Sequence, residues 1–206
     1  AYILSISAEI PYAFAEHAKM VPTVSDAGGV DASSAFTLTL EGKVNAISVR
    51  KYLSVEPSLD MEIHQGKSNQ EVLVVPTEPL APDTLYRFAL EAEGQAIHWA
   101  FQTKGILEVV ESDPADQNLA VGLHSRIRLV FNTSGMAAAS DWFSIEPAVS
   151  GHLEAAGRMI SFIPDEPLAP NTVYTVSAKA GWPLLNSDLV LEQDYRFRFE
   201  TAAAEG

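Results

Sequence analysis

The segment TEPLAPDTLY at residues 77–86 decides the fold, because a near-copy of it, DEPLAPNTVY, occupies residues 165–174. The two segments begin 88 residues apart and are identical at seven of their ten positions. Shorter matches flank them, VEP with IEP and FQT with FET, at residues 55–57, 145–147, 101–103 and 199–201. Self-similarity of this kind indicates that one structural unit is present twice.

The repeat divides the chain into two predicted domains. A length of 206 residues accommodates one large or two small domains. The matched segments place the first unit at residues 22–104 and the second at residues 105–202. We expect residues 1–21 to be either a lead segment or the first strand of the first unit.

Apolar and polar side chains alternate along both units. Phe36, Leu38 and Leu40 alternate with threonines, and the same period of two recurs at residues 126–131 and 195–200. This period is typical of strands with one buried and one exposed face. About seven short strands fit into each unit, and helical turns are predicted only at residues 136–141. The sequence therefore predicts an all-β fold of two tandem immunoglobulin-like β-sandwiches.

The repeated segment has the composition of a corner between two strands. Proline lacks the N–H that a strand ladder needs and pushes the preceding residue into extended backbone. We expect Asp83 and Asn171 to accept a local backbone N–H, as such residues commonly do in turns. We expect Tyr86 and Tyr174 to be structural corner residues, each with a buried ring and a hydroxyl bonded to the upstream backbone.

The second unit resembles the bacterial Ig-like domain family, of which S-layer protein modules are typical. The resemblance rests on SDPADQNLAV, IRLVF, SFIPDEPLAPNTVYTV and YRFRFET, at residues 112–121, 127–131, 161–176 and 195–201. The first unit keeps VVPTEPLAPDTLY and WAFQT, but its opening SDAGGV lacks the proline. The resemblance implies two tandem copies in an exported, multidomain protein of the bacterial cell surface. It implies no catalytic residues.

Composition excludes several classes of partner and chemistry. The formal net charge is −14, from 27 acidic and 13 basic residues, and no run of lysine and arginine occurs. Nucleic acid and anionic membrane surfaces are therefore poor expected partners. No segment approaches the roughly 20 apolar residues of a membrane span, so no membrane insertion is expected. The absence of cysteine excludes disulfides and thiolate chemistry.

Candidate catalytic motifs are weak. Ser48 and Lys51 match the spacing of an SxxK pair, which in hydrolases requires the start of a helix, whereas these residues fall between two predicted strands. The five histidines, at positions 17, 64, 98, 124 and 152, form no metal-binding pair of the HExxH type. We therefore expect the chain not to be an enzyme and to need no cofactor.

A calcium ion is the one metal that the sequence leaves open. Glu111, Asp113 and Asp116 lie close together in the sequence, next to the predicted domain boundary. Calcium takes oxygen ligands and needs no cysteine. However, the spacing of an EF-hand loop is absent, and acidic side chains in a turn are usually solvated. These three residues are weak calcium candidates.

The second unit contains a long apolar insertion at residues 180–194, where the first unit has only a tight turn. Trp182, Leu184, Leu185 and Leu189 are the interaction candidates in this insertion. One interpretation is that these side chains fold back and cap the open end of the sandwich. The other is an exposed contact patch for a partner, because exposed apolar patches tend to mark interfaces.

Three functions remain open from the sequence. The first is a non-catalytic spacer or adhesion module of a larger exported bacterial protein, with neighbouring domains of the same polypeptide as partners. The second is a protein-interaction role near the N-terminus of a bacterial protease inhibitor that resembles α2-macroglobulin, with residues 180–194 as the docking loop. The third is carbohydrate adhesion through exposed aromatic residues such as Trp142 or Trp182. Another cell-surface protein or a polysaccharide is the expected external partner.

Overall fold

A computed structural model describes residues 18–92 and 94–204. The chain divides into two compact units, Ala1–Gly105 and Ile106–Gly206. This division falls one residue after the boundary expected from the repeat. The lead segment that we expect at residues 1–21 lies mostly outside the described residues.

Unit 1 consists of nine strands and one short helix within its described part. The strands are β1 (Lys19–Pro22), β2 (Ser25–Asp26), β3 (Gly29–Val30), β4 (Phe36–Thr39), β5 (Leu53–Glu56), β6 (Met61–Gln65), β7 (Glu71–Pro76), β8 (Leu85–Ala92) and β9 (Gln95–Gln102), and the helix is α1 (Ala46–Tyr52). Four strands pair in the order β1-β4-β7-β6, and three in the order β5-β8-β9. The β2–β3 hairpin approaches the second sheet through a single parallel bridge between Val30 and Thr103.

The described part of unit 2, up to residue 204, contains eight strands and one 3₁₀ turn. The strands are β10 (Val109–Asp113), β11 (Asn118–Val121), β12 (Ile127–Phe131), β13 (Phe143–Glu146), β14 (Gly151–Ala156), β15 (Met159–Pro164), β16 (Val173–Ala178) and β17 (Tyr195–Thr201). They form two four-stranded sheets, in the orders β10-β12-β15-β14 and β11-β17-β16-β13. Strand β11 runs parallel to β17, and every other strand pair of unit 2 is antiparallel.

Both units have the strand order of an immunoglobulin sandwich. In that fold the first, second, fifth and fourth strands form one sheet, and the third, sixth and seventh form the other. Strands β1, β4, β7 and β6 fill the first sheet of unit 1, and β10, β12, β15 and β14 fill the same places in unit 2. The all-β, immunoglobulin-like fold predicted from the sequence is confirmed.

The core of each unit lies between its two sheets and follows from the alternation in the sequence. Phe36 and Leu38 of β4 are fully buried, whereas Thr37 and Thr39 are partly exposed. Phe197 and Phe199 of β17 are buried while the arginines beside them are exposed. One face of each strand is therefore removed from water, which supplies the main stabilisation of a sandwich.

The structure corrects the predicted distribution of helix. Residues 136–141 form only the start of a 3₁₀ turn, at Ser140–Trp142, while α1 occupies a segment that we read as lying between strands. Asn45 caps α1, because its Oδ1 accepts the backbone N–H of Ser48 at 2.9 Å. The helix has only seven residues, too few for an apolar period to be visible in the sequence.

Within residues 18–92 and 94–204, no helix has the length and apolar content needed to cross a bilayer.

Candidate functional site

The repeated segment folds into the same hydrogen-bonded corner in both units. Tyr86 is buried, and its hydroxyl oxygen accepts a hydrogen bond from the backbone N–H of Ala81 at 3.0 Å. Tyr174 is buried in the same way and accepts the N–H of Ala169 at 2.9 Å. Each tyrosine thus ties the start of a strand to the turn that precedes it.

A buried threonine completes each corner. Thr103, just after β9, donates its hydroxyl to the carbonyl of Ala81 at 2.6 Å and accepts the N–H of Thr84 at 2.9 Å. Thr201 makes the same two bonds in unit 2, at the same 2.6 and 2.9 Å. The sequence showed both threonines only as the ends of the matched FQT and FET segments. Their role was missed, because their partners lie 19 to 32 residues away.

The role expected for Asp83 and Asn171 is corrected. These residues have φ angles of 47° and 49°, in the left-handed region that Asp and Asn tolerate better than most residues. The Oδ1 of Asp83 accepts from the side chain of Gln102 at 3.3 Å rather than from a local backbone N–H. The left-handed backbone conformation at these two positions therefore explains why Asp83 and Asn171 occupy them. The corners are structural and offer no reactive group.

The insertion at residues 180–194 folds into a small hairpin of unit 2. Pro183 pairs with Val190, and Leu184 of the hairpin also bridges to Met136, in the segment before the 3₁₀ turn. Trp182 is fully buried, and its Nε1 donates to the carbonyl of Ala137 at 2.7 Å. Edge-to-face contact with Phe131, at a centroid distance of 5.7 Å, seats the indole in the core.

The expected contact patch is therefore corrected at two of its four residues. Trp182 and Leu184 are core residues of unit 2 and are not available to a partner. Leu189 is partly buried, and Leu185 is exposed by 53%. The capping interpretation accounts for Trp182 and Leu184, whereas Leu185 alone remains a surface candidate.

The tryptophans named for carbohydrate adhesion form no open platform. Trp142 is partly buried and packs against the core of unit 2. A Cβ at Gly181 would lie 2.9 Å from its Nε1, and Gly181 has a φ of 96°. Glycine is therefore required where the chain passes the indole. Trp182 is fully buried, so neither ring offers the exposed flat face that we associated with sugar binding.

Two of the three calcium candidates, Asp113 and Asp116, interact with different protein groups. Asp113 faces Arg128 across the β10–β12 ladder, with 3.4 Å between the carboxylate and the guanidinium. The Oδ1 of Asp116 accepts the backbone N–H of Arg198 at 3.0 Å, which fixes the loop before β11. Within the described ranges, no group of three His, Cys, Asp or Glu side chains is placed to hold a metal ion. Glu111 and these two aspartates therefore do not form the expected calcium site.

The SxxK pair does lie on a helix, contrary to our expectation, but it has no catalytic arrangement. Ser48 is buried on the inner side of α1, whereas Lys51 is exposed. The Nζ of Lys51 lies 5.0 Å from the centroid of the Tyr52 ring, in a cation–π contact. A lysine held over the Tyr52 ring is not placed to remove a proton from a buried hydroxyl.

A charged triad in unit 1 was not predicted. The ammonium of Lys104 lies 2.7 Å from a carboxylate oxygen of Asp26 and 3.7 Å from one of Asp31. Hydrogen bonds from the hydroxyl and the backbone N–H of Ser33, together with the charge of Lys104, hold the pKa of Asp31 below its ordinary value. The triad joins the β2–β3 hairpin to the end of β9.

Comparison with known sequences finds a family model that is similar to the second unit. Residues 104–201 match the family model described as bacterial Ig-like domain. Unit 2 is therefore similar in sequence to bacterial Ig-like domains. Such domains fit a non-catalytic structural or surface module. No curated protein sequence matches the chain significantly.

Solved structures similar to the chain share little sequence with it. A chimeric titin Z1Z2 carrying a KLER peptide from decorin is 12% identical, with a TM-score of 0.30 and coverage of 92% of this chain and 98% of its own. Titin-A168169 is 10% identical, with a TM-score of 0.32 and coverages of 83% and 90%.

A third similar structure is SGBP-B of the Bacteroides ovatus mixed-linkage glucan utilization locus, in complex with a mixed-linkage heptasaccharide. It is 14% identical with a TM-score of 0.31, and 91% of this chain spans 45% of its length. Likenesses at these TM-scores carry no weight in the conclusions below.

Proposed function

We propose that the chain is a spacer module of a larger exported bacterial cell-surface protein, in which it holds a neighbouring functional domain at a set distance from the surface. The observation that carries the proposal is the double corner. Each unit closes its own core and ties the turn before β8 or β16 to the end of its last strand with the same tyrosine and threonine bonds. Such a unit resists opening without any ligand.

Three further features support a structural role. The side chains with catalytic spacing, Ser48 and Lys51, are separated by burial and exposure. The family matched by unit 2 fits a non-catalytic module. An acidic net charge keeps such a module soluble through self-repulsion.

The protease-inhibitor alternative loses support at its proposed docking loop, since Trp182 and Leu184 of that loop are core residues. The carbohydrate alternative in its aromatic form loses support in the same way, because Trp182 is buried and Trp142 packs on the core. The spacer role does not depend on the side chains that are buried in the structure, and we therefore favour it.

Module exchange tests the spacer role. In the full-length protein, residues 19–202 are replaced by an unrelated pair of immunoglobulin-like sandwiches of similar size, and in a second variant by a Gly/Ser linker of equal residue number. A spacer predicts that the sandwich pair preserves the function and surface exposure of the neighbouring domain, while the flexible linker reduces them. Loss of function with the unrelated sandwiches would show that this chain makes specific contacts, and would refute the proposal.

A further inference from the structure

Folding gathers basic residues at one end of unit 1. The stretch KVNAISVRK at residues 43–51 and the loop QGKSNQ at residues 65–70 contain four basic and no acidic residues, in a chain with a net charge of −14. Lys43 precedes α1, Arg50 and Lys51 end it, and Lys67 lies in the turn between β6 and β7. No ion pair with a carboxylate joins any of these four side chains within the described parts of the chain. We call this group the basic end.

The two segments are held together by a fixed hydrogen-bond network. The side-chain amide of Gln65 donates to the carbonyls of Val44, Ser68 and Glu71 at 3.0 to 3.3 Å. The N–H of Val44 also donates to the carbonyl of Asn69 at 2.8 Å. The backbone on both sides is thus positioned before any ligand arrives, which lowers the entropic cost of binding.

A groove of about 530 Å³ runs between the segments and is lined by residues 43–45 and 65–69. This volume is within the ~300–1,000 Å³ typical of ligand sites. The residues that line it include Lys43 and Lys67, the polar Asn45, Ser68 and Asn69, and the apolar Val44. The closest acidic neighbour in the β6–β7 turn, Glu71, turns its Oε1 to the backbone N–H of Lys67 and so helps to hold the loop.

We propose that this groove binds an acidic polysaccharide. The lysines at its two sides match oxyanions repeated along a polymer, and amide and hydroxyl side chains match the hydroxyl groups between them. The site goes beyond the spacer role, and it uses two segments, 43–51 and 65–70, that contain basic and no acidic residues.

A membrane surface fits the basic end less well. Ile47 of α1 is exposed by 82%, whereas the ring of Tyr52 beside Lys51 is partly buried against the core of unit 1. Binding in a lipid interface requires a continuous apolar face, which a single isoleucine does not supply. A concave groove also suits a chain better than a flat bilayer.

Binding is measured with the purified chain and three probes: dextran sulfate, polygalacturonate and neutral dextran. The proposal predicts binding of both acidic polymers, no binding of neutral dextran, and weaker binding at higher salt. The double variant K43Q/K67Q is expected to bind at least about tenfold more weakly. The matched control K19Q/R87Q, which removes two exposed charges from β1 and β8, is expected to bind within about twofold of the unaltered chain. Unchanged thermal unfolding verifies that both variants fold.

Three outcomes would overturn the site. The first is no binding of either acidic polymer. The second is an equal loss in both double variants, which would reduce the effect to net charge. The third is a preference for phosphatidylglycerol vesicles over both polymers, with that preference abolished by I47S, which would assign the basic end to lipid. The assay does not involve neighbouring domains, so its failure leaves the spacer proposal intact.

Discussion

The two units agree at their corners to within 0.1 Å in the compared tyrosine and threonine bonds, yet they differ at the outer edge of the last strand. In unit 2, β11 runs parallel to β17, with Asn118 opposite Phe199 and Val121 opposite Thr201. In unit 1 the corresponding contact is the single bridge between Val30 and Thr103, beside the charged triad.

A second difference lies before the last strand. Unit 1 connects β8 to β9 through a tight turn at Gly94, whereas unit 2 inserts the hairpin that buries Trp182. The comparison separates what the fold requires from what it permits. The corner is the same in both units because it joins the two sheets. The edge strand and the connection before the last strand differ, and each unit stabilises them with its own local contacts.

The largest expected effect breaks unit 2 alone. The variant W182A removes a fully buried indole and its bond to the carbonyl of Ala137, and we expect a loss of about 3–5 kcal/mol in the free energy of unfolding of unit 2. Denaturant titration followed by hydrogen exchange of peptides from each unit measures it.

Leu185 supplies the control for this prediction. L185A changes an exposed residue of the same hairpin and is expected to cost less than about 0.5 kcal/mol. If W182A also cost so little, Trp182 would not be a core residue. Faster hydrogen exchange in unit 1 of the W182A variant would contradict the conclusion that each unit has its own core.

An intermediate effect tests the equality of the corners. T103V and T201V each remove a buried hydroxyl that links a carbonyl and an N–H, and we expect each to cost about 1–3 kcal/mol in its own unit. T103S and T201S keep the hydroxyl and are the matched controls. Costs in the two units that differ by more than about 1 kcal/mol would show that the corners are not energetically equivalent.

The smallest expected effect concerns the triad of unit 1 and depends on pH. The folded-state pKa of Asp31 is lowered, chiefly by the two hydrogen bonds from Ser33. A lowered carboxyl pKa contributes stability above the unfolded value of about 3.9, and that contribution is lost as the pH falls through the folded value. Unit 1 should therefore lose stability below about pH 4.

Substitution at Ser33 checks this assignment. S33A removes the hydroxyl donor, so the pKa of Asp31 should rise towards its ordinary value, whereas S33T keeps both donors. NMR titration of the Asp31 carboxyl carbon measures the change. An Asp31 pKa unaffected by S33A would contradict the role given to Ser33.

The sequence predicted the fold well where a signal was local and repeated. The period of two located β4, β12 and β17 almost to the residue, since alternation follows directly from one buried face. The short helix α1 was not predicted, because two helical turns show no clear apolar period. The hydrogen bonds of Thr103 and Thr201 were not predicted, because they join positions that are distant in the sequence.

The candidate sites were harder to predict, since proximity in sequence does not fix direction in space. Asp113 and Asp116 are three residues apart, yet one faces Arg128 and the other caps the backbone at Arg198. Trp182 and Leu185 belong to one hairpin, yet one is fully buried and the other exposed. The sequence records the composition of a loop but not the side on which each residue lies.

The central claim is that the chain consists of two separately closed sandwiches able to keep their length under tension. Single-molecule pulling on the two ends of the chain tests it most directly. We predict two discrete unfolding steps of about 25–30 nm each. Unit 2 should unfold at the higher force, because opposed pulling shears all bonds between the parallel strands β11 and β17 at once. A single step, or a gradual extension without steps, would contradict the account.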